Sequence, residues 1–530
     1  MPNRIVGFHA FLQNDKVIIV DSDGNIIDKP SYLAELVTQY NDCSCIAYDV
    51  DCFTACLLKT MDITKDQGME LHKTEHLRIP PWHIAYFPDK FLGIDYGSGG
   101  MHPFTNFSNM NQDGYGKAVY SERPETVEDA ISKAKEARDV GIDVAKILSE
   151  LGLDSSSIIS PVTPFLRKYT LNWPTVDGMP TELVQMSINA VKGHLFEVRQ
   201  LGHFKNARDW DIVAAYLFHL SYLPGLNRGE FIHMKGNEIP IGATLGVAEG
   251  MVTTNAPLHP FMVNIDGANH TPIGTYPDTI TLFDIKLMYQ YPELGEFRQN
   301  EGWYWIPKGQ QYQIYKGAML WLWKQRQNTE GRKRLIIQRI YSSLVGKQIE
   351  GIASGKYGKM LCPFIPSHVE SATRIQAIKT CLENKIDPIA ITGDGFVSES
   401  NVDIPCGNEM GAWKLKQQND CLSIGSNVIM FKDGKMKGDY DDIIATMTDN
   451  PRAECYSKSW NTPVSLAVAL QQKWEELGEI RPLVREFSID VETKRLYPSR
   501  PKSGCAFLHG KYDSIPWNYE TLINIRKAQA

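Results

Sequence analysis

Two carboxylates in this 530-residue chain stand where metal chemistry would need them. Asp211 opens the segment Asp211-Ile-Val-Ala-Ala-Tyr216, and Asp394, 183 residues on, lies within Ile391-Thr-Gly-Asp394-Gly-Phe-Val397. The second segment reads as strand, tight glycine-flanked turn, strand, with Asp394 at the tip. Acids brought together from distant sequence offer the hard oxygen ligands that Mg²⁺ takes. Two such ions about 3.5–4 Å apart can clamp an in-line phosphoryl displacement. Taken singly, each segment also reads as a buried strand end or an ordinary hairpin turn.

The elements between them give the pair a context. Trp323-Lys-Gln-Arg326-Gln-Asn-Thr-Glu-Gly-Arg332-Lys-Arg334 runs on to Tyr341-Ser342-Ser-Leu-Val-Gly346-Lys347. The polar stretch Asn328–Gly331 predicts a turn between two helices. The first has Leu320, Trp321 and Trp323 as its apolar content, and the second has Leu335, Ile336, Ile340 and Leu344 at helical intervals. From Lys308 to Lys359 eleven Lys or Arg face two Glu, in a chain whose net charge is −7. Such local asymmetry suits a surface that meets phosphates, and a solvated helix face is the plainer alternative.

Acid, basic helical hairpin, acid on a turn is the order of motifs A, B and C in family B DNA polymerases. The chain resembles that family, nearest to its compact protein-primed viral or plasmid branch. Asp211 to Tyr216 resembles D-x-x-S-x-Y-P, with Leu217 in place of the proline. The resemblance implies that Asp211 is a metal ligand, with the Ile212 carbonyl beside it, and that Tyr216 closes off the space of a ribose 2′-OH. Thr392-Gly-Asp394 resembles D-T-D, with Asp394 in the catalytic place and Thr392 where the first acid usually stands. The same turn is similar to the G-D-D of RNA-directed polymerases, but Tyr216 favours deoxynucleotides. In the basic segment, Arg326, Glu330, Gly331 and Arg334 match the family's helix turn, and Ser342 to Lys347 lies over N-S-x-Y-G-K. The lysine expected to grip the triphosphate is Gln338, and Arg339 beside it points about 100° away on the same helix. Nucleotide binding is therefore expected at Tyr216, Arg326, Arg334, Gln338 and Ser342.

Further matches extend the resemblance over roughly 185–440. Ala190-Val-Lys192-Gly193-His194 lies at a Y-x-G-G template link, Cys362 to Arg374 resembles the helix entering motif C, and Gly411-Ala-Trp413-Lys414 the strand after it. These place Lys192, Gly193, Lys347 and Arg374 at the DNA. Lys437-Gly438 resembles the signature that begins the thumb, while the K-x-Y expected near Asn427–Phe431 is not recognisable. The 47 residues between Gly346 and Asp394 leave little room for a strand-displacement hairpin, whereas Gly225–Tyr276 has room for an insertion that docks a terminal protein.

The same resemblance implies that the first third is a ribonuclease-H-like 3′→5′ exonuclease domain, and its outline is consistent with that. Ile5–Phe11 and Lys16–Val20 read as strands, Cys45–Phe53 as a strand and helix start, and Asp143–Leu151 as a helix. Its acids are lost: the first motif is His9-Ala-Phe11, the second falls on Phe53, and Asp143 alone stays in register. One carboxylate cannot hold two ions, so this domain reads as an editing relic. Asp49, Asp51 and Asp95 are the substitutes weighed against that. Cys43, Cys45, Cys52 and Cys56 lack paired zinc-knuckle spacing and read as buried thiols.

The expected architecture is an α/β (α+β) multidomain chain, a right-hand polymerase of palm, fingers and thumb behind an exonuclease-type domain. Its divisions are 1–160 exonuclease-like, 161–310 linker and first palm part, 311–350 fingers, 351–440 palm and 441–530 thumb. Polar stretches at Ser121–Thr126, Ser155–Pro161 and Asp449–Arg452 mark possible borders. With 43% hydrophobic residues the core is sufficient, and no apolar run of 18 residues spans a membrane. Ten scattered Cys without a signal peptide imply a reducing compartment, the cytoplasm, or the host's for a viral chain. Expected cofactors are two Mg²⁺, with Mn²⁺ as a substitute. Expected partners are primer–template DNA, dNTPs and a terminal protein primer, the enzyme itself being monomeric. Two rivals are a catalytically impaired DNA-binding descendant and an RNA-directed or primer-making polymerase.

Overall fold

The computed structural model describes residues 4–529 apart from 14–15, 28–42, 62, 75, 88–90, 98–100, 108–125, 155–160, 170–173, 266, 310–311, 353–357, 426–427, 435–438, 451–454, 464–479, 489–493 and 500–503. The polar borders at 121–125, 155–160 and 451–452, and the Lys437-Gly438 signature, lie outside the described residues. The chain divides into two compact units. One comprises Met1–Lys168, Lys324–Ile340 and Lys458–Arg485, and the other Tyr169–Trp323, Tyr341–Ser457 and Glu486–Ala530. This division cuts through the 311–350 segment expected as one piece.

The first unit is built on a mixed eight-stranded sheet. Its strands are β1 (Ile5–Gln13), β2 (Lys16–Asp21), β3 (Ile26–Ile27), β4 (Ser44–Ala47), β5 (His76–Ile79), β6 (Trp82–Phe87), β7 (Phe91–Tyr96) and β8 (His102–Asn106), in the order β3-β2-β1-β4-β8-β7-β6-β5. β1 pairs antiparallel with β2 and parallel with β4, which in turn runs parallel to β8. Val6 to Phe11 is buried throughout because β1 is covered on both faces, which is why it reads as a nearly continuous apolar run. The helix Val127–Glu150 lies against one face through a stripe of small residues, Ala130, Ala134 and Ala137. Contact is so close that a Cβ on Gly7 would stand 1.8 Å from the Ala134 carbonyl oxygen. Thr126 caps this helix by accepting the Asp129 amide at 3.1 Å. The expected strands over 5–47 are thus present, the helix start near Phe53 is the helix Val50–Thr60, and the helix expected at 143–151 is the end of Val127–Glu150.

The second unit centres on β10 (Gln200–Ile212), with β9 (Phe196–Val198) just before it in sequence. A four-stranded antiparallel sheet follows, made of β11 (Gly229–Lys235), β12 (Leu245–Thr254), β15 (Gly274–Thr281) and β16 (Glu296–Pro307), in the order β11-β16-β12-β15; the short hairpin β13 (Val263–Ile265) and β14 (Ala268–His270) lies within it in sequence. The segment Gly225–Tyr276 thus holds β11 to β14 and the start of β15, of which β11, β12 and β15 belong to a folded sheet that extends to Pro307. β17 (Ala390–Thr392), β18 (Gly395–Ser398), β19 (Trp413–Gly425) and β20 (Val428–Phe431) complete the central sheet in the order β20-β19-β10-β18-β17-β9, and strand Lys511–Asp513 also pairs with β10. Ala215 and the helix Phe364–Glu383 pack onto it through Ala377, Ile378 and Cys381 against Trp210, Ile212, Ile391 and Phe396. This packing fixes the strand ends that carry the two acids.

The basic segment forms helices Lys316–Gln327 and Gly331–Lys347, broken where the turn was expected, with Gly331 at φ +55°. Between Gly346 and Asp394 the described residues form the helix Phe364–Glu383 and β17, and no strand hairpin.

Candidate active site

The sheet brings the two acids together. β10 and β18 run antiparallel with Asp211 opposite Gly395, and the Ile212 amide donates to the Asp394 carbonyl at 2.9 Å. Asp394 sits at the tip of the two-residue turn joining β17 and β18. The turn begins on Gly393 at φ +87°, the backbone conformation such a hairpin requires at its first central position. Gly395 answers a different demand, since a Cβ there would lie 2.0 Å from the Trp210 carbonyl oxygen. Glycine alone lets β18 approach β10 closely enough to set the acids side by side. Burial, then the charge of Asp211 and a side-chain hydrogen bond with it, push the Asp394 carboxyl up to about 6.

A cation already faces this pair. Lys416 Nζ lies 2.7 Å from Asp211 Oδ1. In the β10–β19 ladder Trp210 pairs with Leu415 and Asp209 with Gln417, so Lys416 is the extra residue of a β-bulge. Burial works against its charge, but the hydrogen bond to Asp211 and the charges of Asp211, Asp209 and Asp394 outweigh it and hold the ammonium above the usual lysine range. Asp209, two residues back on the same strand face, accepts from Gln417 Nε2 at 3.2 Å, and burial raises its carboxyl.

Helix Phe364–Glu383 builds the adjoining wall. Glu370 Oε2 accepts the Gly193 amide at 2.7 Å and Arg374 Nη1 donates to the Gly193 carbonyl at 3.2 Å, which clamps a glycine at φ +69°. The clamp positions His194, whose ring stacks on Tyr216 with centroids 5.3 Å apart and lies 3.2 Å from its hydroxyl. Burial, then the charge of Arg374, lowers His194, and burial followed by the charge of Glu370 raises the Tyr216 phenol. Ala214 takes the left-handed conformation at φ 49° and turns the chain from β10 into the helix Ala215–Tyr222 that carries Tyr216. Lys192 is committed inward, its Nζ 2.5 Å from Asp278 Oδ1, with both side chains buried.

No protein-family model and no curated protein matches the chain. Solved structures do. The chain aligns with phi29 DNA polymerase complexed with primer–template DNA and incoming nucleotide substrates, at a TM-score of 0.60 and 12% identity, over 92% of this chain and 100% of that one. The complex with primer–template DNA alone gives 0.60 and 11% over the same shares. The complex with single-stranded DNA gives 0.53 and 12%, over 79% and 86%. The fold is that of phi29 DNA polymerase, a protein-primed family B polymerase. The mixed α/β multidomain architecture expected from the sequence is thereby established.

Within the phi29-like fold the other expected residues take separate places. Arg326, Arg334 and Gln338 belong to the first unit, Ser342 and Lys347 to the second. Arg334 and Ser342 are exposed, Arg326 and Gln338 half-buried, and Lys347 pairs with Glu350 at 2.6 Å. Asp143 forms an ion pair with Arg332, and Lys333 Nζ reaches Glu150 Oε2 at 3.0 Å. His9 is buried between Phe11 and Tyr48, and desolvation, then Lys133, lowers its imidazole to about 3. Phe53 lies in the core, Asp51 accepts the Tyr86 hydroxyl at 2.7 Å, and Asp49 accepts the Asp51 amide at 3.0 Å. Among the described cysteines Cys45 and Cys56 are buried free thiols and Cys43 is partly buried. The described residues contain no group of three or more His, Cys, Asp or Glu placed to share an ion. None of their helices is long and apolar enough to cross a membrane.

Sequence reasoning missed Lys416 and Glu370. Trp413-Lys-Leu-Lys416 alternates as a strand should, but the bulge that turns Lys416 onto Asp211 leaves no mark in the residue types.

Proposed function

We propose that this chain is a template-directed DNA polymerase that adds dNMP to a primer 3′-OH or to a protein primer. The observation that carries this reading is the meeting of Asp211 and Asp394 on adjacent strand ends within a phi29 polymerase fold. The donor set suits a hard divalent cation: two carboxylates, one of them raised by burial and then by the other's charge, to which the resemblance adds the Ile212 carbonyl as a backbone ligand. Mg²⁺ held there, ideally as two ions and with Mn²⁺ as a substitute, would supply Lewis-acid stabilisation of charge on the transferring phosphoryl group. Because a cation must displace the Asp394 proton, Mn²⁺ affinity is expected to rise as pH increases through about 6 and to fall below it. A Mn²⁺ titration at pH 5 and pH 7.5 checks the sign.

The chain's own groups bind and orient. The primer oxygen attacks the α-phosphorus, the bond to pyrophosphate breaks, and the hydroxyl proton passes to solvent. Tyr216, held flat against His194, bounds the sugar. Tyr216→Ala is expected to lower selectivity for dNTP over rNTP at least about tenfold, the scale of one lost pocket contact, read from single-nucleotide incorporation. Arg374 and Lys192, committed inside the protein, act by positioning Gly193 and His194, which then lie along the template. Arg326, Arg334, Gln338 and Ser342 contribute the nucleotide's phosphate contacts, and Lys347 the duplex contact. In this reading 1–160 is an exonuclease relic, 161–310 and 351–440 form the palm, 311–350 the fingers and 441–530 the thumb. Loss of proofreading is supported by the buried neutral His9, the core position of Phe53 and the pairing of Asp143 with Arg332. The segment Gly225–Tyr276, whose longer strands belong to the sheet ending at Pro307, is where a terminal-protein partner would dock. Primer extension on a DNA primer–template with Mg²⁺ and dNTPs tests the whole. Extension on RNA template alone would favour the RNA-directed alternative, and metal-dependent dNTP binding without extension the impaired DNA-binding one.

A further inference from the structure

The bulge at Lys416 has no role in the polymerase reading above. A regular β10–β19 ladder would give one residue of β19 for each residue of β10. Here Lys416 is inserted between the Trp210–Leu415 and Asp209–Gln417 pairs, and its ammonium takes Asp211 Oδ1 at 2.7 Å. Bulges re-aim side chains at sites where the extra residue has a use. Two divalent ions shared by Asp211 and Asp394 would both need Asp211's oxygens, and one of those oxygens already holds a tethered cation. Charge balance points the same way. Lys416 feels Asp209, Asp211 and Asp394 together, and one divalent ion plus the ammonium neutralises those three ionised carboxylates. A second divalent ion would overcharge the site next to the ammonium, and like charges a few ångströms apart repel even though the Lys416 side chain is 46% exposed to water.

We infer that Lys416 is a built-in cation that takes one of the two cation positions at the Asp211–Asp394 pair, so that the protein without substrate binds a single divalent ion there. The inference rests on that pair being the metal site proposed above. Lys416 is a positioning residue in this scheme, because its partner is the metal ligand Asp211.

Mn²⁺ titration of the full chain, with free Mn²⁺ counted by electron paramagnetic resonance, tests it without any catalytic readout. Binding lost in Asp394→Asn defines the site. Wild type is expected to hold one Mn²⁺ at that site. Lys416→Met and Lys416→Gln are expected to hold two, or to bind the first about tenfold more tightly, equivalent to about 1.4 kcal/mol. Lys416→Arg should keep the wild-type stoichiometry because it keeps the charge. Circular dichroism shows that the variants are folded, and two neutral replacements guard against one that is not. An isotherm unchanged in both neutral variants, with binding still lost in Asp394→Asn, overturns the role of Lys416 and leaves the metal site standing. Wild-type binding that is indifferent to Asp394→Asn overturns both.

Discussion

On the proposed polymerase reading, Asp394→Asn is expected to lower primer extension about 10³-fold or more while the protein stays folded. That is the scale on which removal of a group stabilising transition-state charge acts. The substitution keeps the shape of the turn tip and removes the charge that a divalent cation needs. The turn itself should survive, because Gly393 and Gly395 carry its geometry and the Ile212 amide bonds to the backbone carbonyl of residue 394 and not to its side chain. Losing a raised carboxyl also removes its repulsion with Asp211, so melting temperature should not fall. Extension assays on wild type and variant, paired with thermal melts, separate chemistry from folding. Equal extension by both would remove Asp394 from the reaction.

Glu197→Ala costs about 3–5 kcal/mol of stability, as expected when one partner of a buried ion pair is deleted. Glu197 lies on β9, buried, with Arg495 Nη1 at 2.7 Å and Arg199 Nη1 at 3.5 Å from the same carboxylate oxygen, while the Thr271 hydroxyl donates to the other. Arg495 is almost wholly buried and burial lowers its guanidinium, so the carboxylate is what makes its charge tolerable there. Without Glu197 two guanidinium groups face each other in the core. Urea unfolding reads the loss directly. Lys308→Ala, which breaks the exposed pair with Glu230, is the contrast and should change stability by less than about 1 kcal/mol. A small effect from Glu197→Ala would mean that water reaches these arginines once the carboxylate is gone.

Local patterns made much of the molecule legible. The glycine-flanked turn around Asp394 was readable because a two-residue hairpin needs a residue of positive φ, and Gly393 supplies it. The break at Asn328–Gly331 and the strands of the first third followed from periodicity and turn chemistry, which act over a few residues. The likeness of the acids' order to a polymerase came from motif spacing, and the fold agrees with it at 12% identity.

Residue types and their intervals by themselves determined the first strands and the long helix of the N-terminal third, the pair of basic helices, the turn at Asp394 and the class of chemistry that two distant acids could do. Only the tertiary structure decided which charges remain available for that chemistry. Lys192 and Arg374 look like DNA contacts in a line of text, yet Asp278 and the Gly193 backbone hold them inside the protein. Lys414 and Lys416 look equivalent, yet a bulge on β19 sends one of them to Asp211. Asp143 keeps its register and is tied up by Arg332 from 189 residues away. The reason is physical: a charge's role depends on what lies within a few ångströms of it, and that is set by strand register and packing between segments remote in sequence.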